Sequence, residues 1–185
     1  MDMKNTAAVT HDPRSDGFIA LDECHRKMLR KLDELSALVA ALEHEEPDYE
    51  ARGTANEIVR FFSSVAREHH EDEERHVFPP LVSSSDTALV HAVLRLQQDH
   101  GWLEEDWMEI APHLQAIAGG HAGWDIDALR SGTQVFTALY RDHIELEESL
   151  IYPHARTQMN DESRRAMGRE MAARHRAERE ARRRA

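Results

Sequence analysis

Two stretches of this chain concentrate side chains able to bind metals or move protons. "HHEDEERHVFPP" at residues 69–80 and "HIELEESLIYPH" at residues 143–154 share one pattern: a histidine, a glutamate four places on, a second glutamate, apolar residues with an aromatic, then proline. Helix residues i and i+4 share a face, with Cβ atoms about 5–6 Å apart. His69 with Glu73, and His143 with Glu147, can therefore each aim an imidazole nitrogen and a carboxylate oxygen at a common point. In a protein interior two ionised carboxylates would lose their hydration and repel each other. Cations between them relieve both costs, and imidazole nitrogen with carboxylate oxygen suits iron, manganese or zinc.

Two further histidines extend the pattern. His25 in "LDECH" and His100 in "LQQDH" are 75 residues apart, and His69 and His143 are 74 apart, so the chain reads as two helical hairpins of one design. The candidate metal ligands are thus His25, His69, Glu73, His100, His143 and Glu147. A carboxylate can bridge two metals, whereas a neutral imidazole binds one. Glu73 and Glu147 are then the bridges, with His25 and His69 on one metal and His100 and His143 on the other, or a swapped pairing of the same four. A lone histidine on an apolar helix face is ordinarily a hydrogen-bonded core residue; four at duplicated positions, two with a glutamate on the same face, are not explained that way.

Neighbouring residues divide differently. Glu74 and Glu148 lie about 100° round the helix from Glu73 and Glu147, where they either support the ligands or face solvent. Glu104, four residues after His100, is a candidate extra ligand, although Leu29 stands at the equivalent place after His25. Asp99 is read as a surface salt-bridge partner rather than as a group orienting a ligand histidine. His44, His70, His76, His91, His113, His121, His154 and His175 fall off the pattern and are read as exposed or loop residues.

Long helices must carry these groups. Periodicity marks segments at about 18–44, 49–78, 87 to Pro112 or beyond, and 124–152. Their inner stripes are Leu21, His25, Met28, Leu32, Leu35; Ile58, Phe62, Val65, His69, Glu73; Val93, Leu96, His100, Leu103, Trp107; and Leu139, His143, Leu146, Glu147, Leu150. Pro79-Pro80 and Pro153 should stop two segments, and Pro112 should kink or end a third. The "SSSD" run ending at Asp86 offers a cap for the third. No strand pattern is present in the sequence. Short loops predict an all-α, up-down-up-down antiparallel four-helix bundle with a short extra C-terminal helix. The expected organisation is a disordered segment over 1–15, the bundle over 16–155, and a C-terminal helix with an Arg-rich tail over 156–185. Phe62, Leu96, Trp107, Leu139 and Leu146 are the expected lining of a dry cavity beside the metals.

Bulk properties narrow the function. Net charge is −12 for 185 residues, yet residues 161–185 hold nine Arg against five acidic residues. An acidic body argues against nucleic acid as partner, and the basic tail reads as a frayed, solvated helix end. No apolar run reaches the roughly 18 residues a membrane span needs, and the N-terminus lacks the apolar segment of a secretion signal. The expectation is a cytoplasmic protein without a membrane partner, monomeric or weakly dimeric. Cys24 is the single cysteine, which excludes an internal disulfide.

The sequence resembles a known family at these residues. His25, "HHEDEERHVFP", His100 and "HIELEESLIYP" look like the hemerythrin or HHE cation-binding domain across residues 15–155, and "MGREMAARHR" is similar to a helix that follows it in many bacterial members. The resemblance implies a four-helix bundle holding a non-haem di-iron centre with two carboxylate bridges and an oxo or hydroxo bridge. Oxygen-carrying hemerythrins have a second histidine in the third helix, where this chain has Glu104, and a fourth-helix carboxylate five residues after its histidine, where Glu148 falls. The four-histidine, two-glutamate set is more similar to bacterial iron-centre repair proteins, without their cysteine-bearing N-terminal domain. This implies binding of, or reaction with, oxygen, nitric oxide or hydrogen peroxide in stress response or iron handling. The alternative is an iron or oxygen sensor, or an iron donor, without turnover; a third reading makes the His/Glu pairs a buried polar network. Ferritin-like oxidases are disfavoured, because they use ExxH spacing.

Overall fold

Each long arm of the fold starts at an aspartate. Asp16, Asp48, Asp86 and Asp125 accept hydrogen bonds from the backbone N–H groups of Phe18, Ala51, Ala88 and Asp127, capping helices that would otherwise leave those donors unpaired. The computed structural model describes residues 16–184, so the expected disordered segment 1–15 lies outside the described residues. Among the described residues all regular structure is helical. The first arm is α1 (Gly17–Leu42). The second runs through α2 (Tyr49–Arg60), a π-helical turn at Phe61–Val65, α3 (Ala66–His76) and α4 (Phe78–Val82). The third is α5 (Thr87–Gly119), and the fourth is α6 (Ile126–Leu146), a second π-helical turn at Glu147–Ile151, and α7 (Tyr152–Gln158). A further helix, α8 (Asp161–Arg184), follows.

The arms close into a ring: α1 packs on α2 and α6, and α5 packs on the same two. Short connections between neighbours make them antiparallel, so the all-α bundle is as the patterning predicts. The second segment stops as expected, with α3 ending at His76 ahead of Pro79-Pro80, but the other prolines do not stop a helix. Pro79 and Pro80 occupy the first turn of α4, and Pro153 that of α7, where a missing N–H costs nothing. Pro112 does not end α5, which runs on to Gly119 and stops at Gly120 in the left-handed conformation (φ 68°). Ile110, Ala111, Leu114 and Ile117 are all buried around it, and that packing holds the helix across the lost hydrogen bond.

The first π turn also moves the second arm's inner stripe. One extra residue rotates the face by about a third of a turn, so Val65 is exposed while Ala66 takes its place in the core. On the fourth arm Phe136, Tyr140, His143, Glu147 and Ile151 point inward, and Leu139, Leu146 and Leu150 flank them half-buried. The apolar core is split in two. One cluster holds Leu32, Leu35, Phe62, Leu103, Trp107, Phe136 and Tyr140; the other holds Phe18, Leu21, Phe78, Leu96, Ile151 and Tyr152. In every arm the ionisable residues lie in sequence between the two, as a polar layer across the bundle.

Helix α8 spans 24 residues and lies against α1 and α3. Met167 and Met171 enter the second apolar cluster, and Gly17 lets Met167 approach so closely that a Cβ there would stand 2.6 Å from its Cγ. Beyond the methionines the contact is ionic. Arg174 pairs with Glu71 and Asp72, His175 Nε2 lies 3.0 Å from Asp72, and Arg182 lies 2.8 Å from Glu68. His76, expected to be exposed, is partly buried and lies 2.6 Å from Glu170, and His175 is likewise partly buried. The expected frayed tail is therefore helical to Arg184, with part of its charge docked on the acidic back of α3.

Candidate metal centre

The polar layer brings the six sequence candidates together. His25 comes from α1, His69 and Glu73 from α3, His100 from α5, His143 from the last turn of α6, and Glu147 from the π turn that follows it. All six are buried, with both glutamates fully so. Each carboxylate presents one oxygen to each histidine pair. Glu73 Oε1 is 3.3 Å from His69 Nε2 and its Oε2 is 3.5 Å from His100 Nε2. Glu147 Oε2 is 3.2 Å from His25 Nε2 and its Oε1 is 3.1 Å from His143 Nε2. His25, His69, Glu73 and Glu147 form one set whose donor atoms lie within 4.8 Å of one another, and Glu73, His100, His143 and Glu147 form a second. The glutamates are common to both.

These atoms are close but poorly hydrogen-bonded. Glu73 Oε2, both Glu147 oxygens, His100 Nε2 and His143 Nε2 find no hydrogen-bond partner among the described residues. Lone pairs converging on one another, in a layer where an unpaired polar atom costs about 1–3 kcal/mol, fit a bound cation and do not fit a self-satisfied polar network. The outer nitrogens are held separately. His25 Nδ1 lies 3.0 Å from Glu148 and His100 Nδ1 lies 2.8 Å from Glu74, so the two glutamates orient equivalent histidines of the repeat. Asp99 is buried rather than on the surface, 3.7 Å from His143 Nδ1 with Arg95 on its outer side. At His25 and His100 the carboxylate on Nδ1 fixes the tautomer that leaves Nε2 free to point inward.

Electrostatics follow from the same packing. Burial disfavours the charged form of Glu73, yet His69 and His100 hold its carboxyl well below the usual range. Burial likewise opposes charge on His143, but Glu147 and Asp99 outweigh it and push the imidazole up to about 10. His69 and His100 are raised for the same reason, against their burial, by Glu73.

The chain matches a family model, the Hemerythrin HHE cation binding domain, over residues 16–155. The chain belongs to the hemerythrin HHE cation-binding family. A protein of Haemophilus influenzae, named only as an uncharacterized protein, is 29% identical over 151 residues, covering 82% of this chain and 85% of its own length. Family membership and the convergent His/Glu layer together make this hemerythrin domain a metal-binding one, and give the likeness drawn from the duplicated motifs its basis in the whole bundle.

Around the centre, this hemerythrin domain departs from the sequence reading at several places. Glu104 is half-exposed, 2.9 Å from Arg67, and belongs to neither donor set. The cavity beside the centre, about 160 Å³, is lined by Phe62, Leu103, Trp107, Phe136 and Tyr140, with His70 and the Arg67–Glu104 pair. Of the five residues expected to line it, Phe62 and Trp107 do. Leu96 and Leu146 pack in the opposite apolar cluster, and Leu139 packs against the first. His70, expected to be exposed, is buried with its ring stacked 4.0 Å from that of His100. Burial and the neighbouring imidazoles hold His70 well below the usual histidine range. Tyr152, unremarked in the sequence except as an aromatic before proline, stacks on His25 and donates a 2.5 Å hydrogen bond to Glu73 Oε1. Its signal was its place in the repeat, where the first motif has Phe78.

Proposed function

We propose that this hemerythrin domain holds a non-haem di-iron centre on His25, His69, Glu73, His100, His143 and Glu147, with manganese or zinc as the competing metals. Its proposed role is to bind or react with oxygen, nitric oxide or hydrogen peroxide in bacterial stress response or iron handling. The observation that carries this is the pair of fully buried glutamates, each offering one oxygen to each of two histidine pairs. Bound iron would supply Lewis acidity and redox change to a small ligand. The chain's own part is to orient and to exclude water. Glu74 and Glu148 fix two of the imidazoles by hydrogen bonds to Nδ1, and Asp99 sets a negative charge beside a third, His143. The apolar wall of Phe62, Trp107 and Phe136 admits small uncharged molecules and disfavours ionic ones. Tyr152 holds Glu73 by its hydroxyl, and it is the phenol nearest the donor atoms of the His25 side.

Elemental analysis of protein expressed under iron-replete conditions, with absorption spectra before and after air, peroxide and nitric oxide, tests the reading. Two iron atoms per chain, oxo-bridge bands in the near ultraviolet and a spectral response to one of the three ligands are expected. Zinc alone would argue against redox chemistry, and protein free of metal would end the proposal.

A further inference from the structure

Helix α5 turns an apolar stripe outward. Leu94, Trp102 and Met108 are 50, 49 and 67% exposed, although all three are large and apolar. Leu94, Gly101 and Met108 follow one another at seven-residue steps, each of which drifts only about 20° round a helix, so they form one stripe with Trp102 on its flank. Single exposed apolar residues are ordinary on a protein surface, but several along one helix face mark a contact surface. Gly101 adds a second observation. Glycine inside a helix is unfavourable beside alanine, and a Cβ at 101 would meet only Gln98 Nε2, at 4.0 Å. Nothing among the described residues requires the glycine, whereas a helix packed on the outer face would use the space it leaves.

The charges on this face say what packs there. His91 and Arg95 lie on the N-terminal side of Gly101, and Glu105 and Glu109 on its C-terminal side, all of them exposed. A second α5 running antiparallel and crossing at Gly101 sets the two halves opposite each other. Leu94 then lies beside the partner's Met108, Gln98 beside the partner's Glu105, and Arg95 beside the partner's Glu109, each contact made twice by the two-fold axis. A parallel copy would instead set Glu105 and Glu109 against themselves. We propose that the outer face of α5 is the interface of a homodimer, in which two copies cross antiparallel at Gly101 and each Trp102 lies over the partner's glycine. The inference is independent of what the buried polar layer binds. A contact made by one helix face is small, so the dimer is reversible and dissociates at micromolar to millimolar concentration.

Sedimentation velocity on the full chain, from about 1 μM to 1 mM, tests this. Wild-type protein should pass from monomer to dimer within that range. Gly101→Gln fills the space with a better helix former, and Leu94→Glu sets a carboxylate against the partner's Met108, close to its glutamates. Each should weaken the dimer about 10- to 100-fold, as overpacking and like charge at an interface do. Thermal melts at the lowest concentration confirm that both variants fold. Gly101→Cys should link to a second copy under mild oxidation, whereas Gln115→Cys, near the C-terminal end of the same helix, and the native chain with Cys24 alone should not. Three outcomes overturn the proposal: wild-type protein that stays monomeric throughout, whatever then covers the face; a dimer that either variant leaves at wild-type affinity; or Gln115→Cys linking as readily as Gly101→Cys.

Discussion

His143 lies between Glu147 and Asp99 with its imidazole raised to about 10, and His69 and His100 are raised beside Glu73. Metal must therefore compete with protons for the same nitrogens. In protein stripped of metal these nitrogens hold protons more tightly than a free imidazole does, so loading should release protons and the apparent affinity should climb with pH, by up to about tenfold per pH unit for each proton displaced. A pH-indicator dye and chelator competition at several pH values measure both; an affinity flat across ~pH 6–8 would mean the imidazoles are not ligands. The carboxylates divide by role. Replacing Glu73 or Glu147 with Ala should abolish the pair of metals, since each glutamate faces both histidine pairs. Glu74→Gln should keep two metals and lower affinity about 10- to 100-fold, because it leaves the His100 ligand atom in place and weakens only its support. Metal content by elemental analysis separates these cases, and equal losses in all three would overturn the division. At this scale the duplicated i, i+4 spacing made the six converging residues readable. His70 and Asp99 were not readable, because a residue next to a ligand counts as buried or exposed only once the helix phase is known, and on His70's arm a π turn alters that phase.

Helix α8 bears on the centre through α3, whose inner face carries His69 and Glu73 and whose back carries Glu68 and Asp72. Asp72 is buried under Arg174 and His175. Removing the guanidinium by Arg174→Ala leaves that carboxylate with reduced compensation, and urea unfolding of metal-free protein should show a loss of about 1–3 kcal/mol. Adding Asp72→Asn should recover part of it, whereas additive losses would show that the pair does not interact. The hydrogen bond to Asp72, outweighing burial, raises His175. A raised histidine stabilises fully below its ordinary value of 6.5 and loses that contribution as pH rises through its folded value, so His175→Gln should flatten this part of the decline in stability as pH rises above 6.5. Element boundaries were legible where local chemistry decides them, as at the Asp86 cap. They were misread at Pro153, because a proline's local penalty says nothing of a helical turn ready to begin at its position, and at Pro112 the sequence could not choose between a kink and an end, because the packing around Ile110 and Leu114 that carries the helix on is not local.

Over the whole molecule, the polar layer separates two apolar clusters that each draw on all four arms. Every arm crosses the layer at a candidate ligand, so a cation held there ties the four arms at one height, and no single arm can leave without breaking coordination. Binding to the folded state alone stabilises it by about 2.7 kcal/mol at a free metal concentration 100 times the dissociation constant. For a chain of this size each kcal/mol moves the midpoint by roughly 2–4 °C, giving an expected rise of about 5–10 °C on loading with iron(II) under anaerobic conditions. Calorimetry should show one cooperative transition moving upward, because the layer lies between the clusters in sequence on every arm and couples them. The same titration on Glu73→Ala should leave the midpoint where it was, whatever that variant's starting stability. A loaded wild-type protein that melts in two steps, with only one moving, would place the cation in one half of the bundle and contradict its position across the middle.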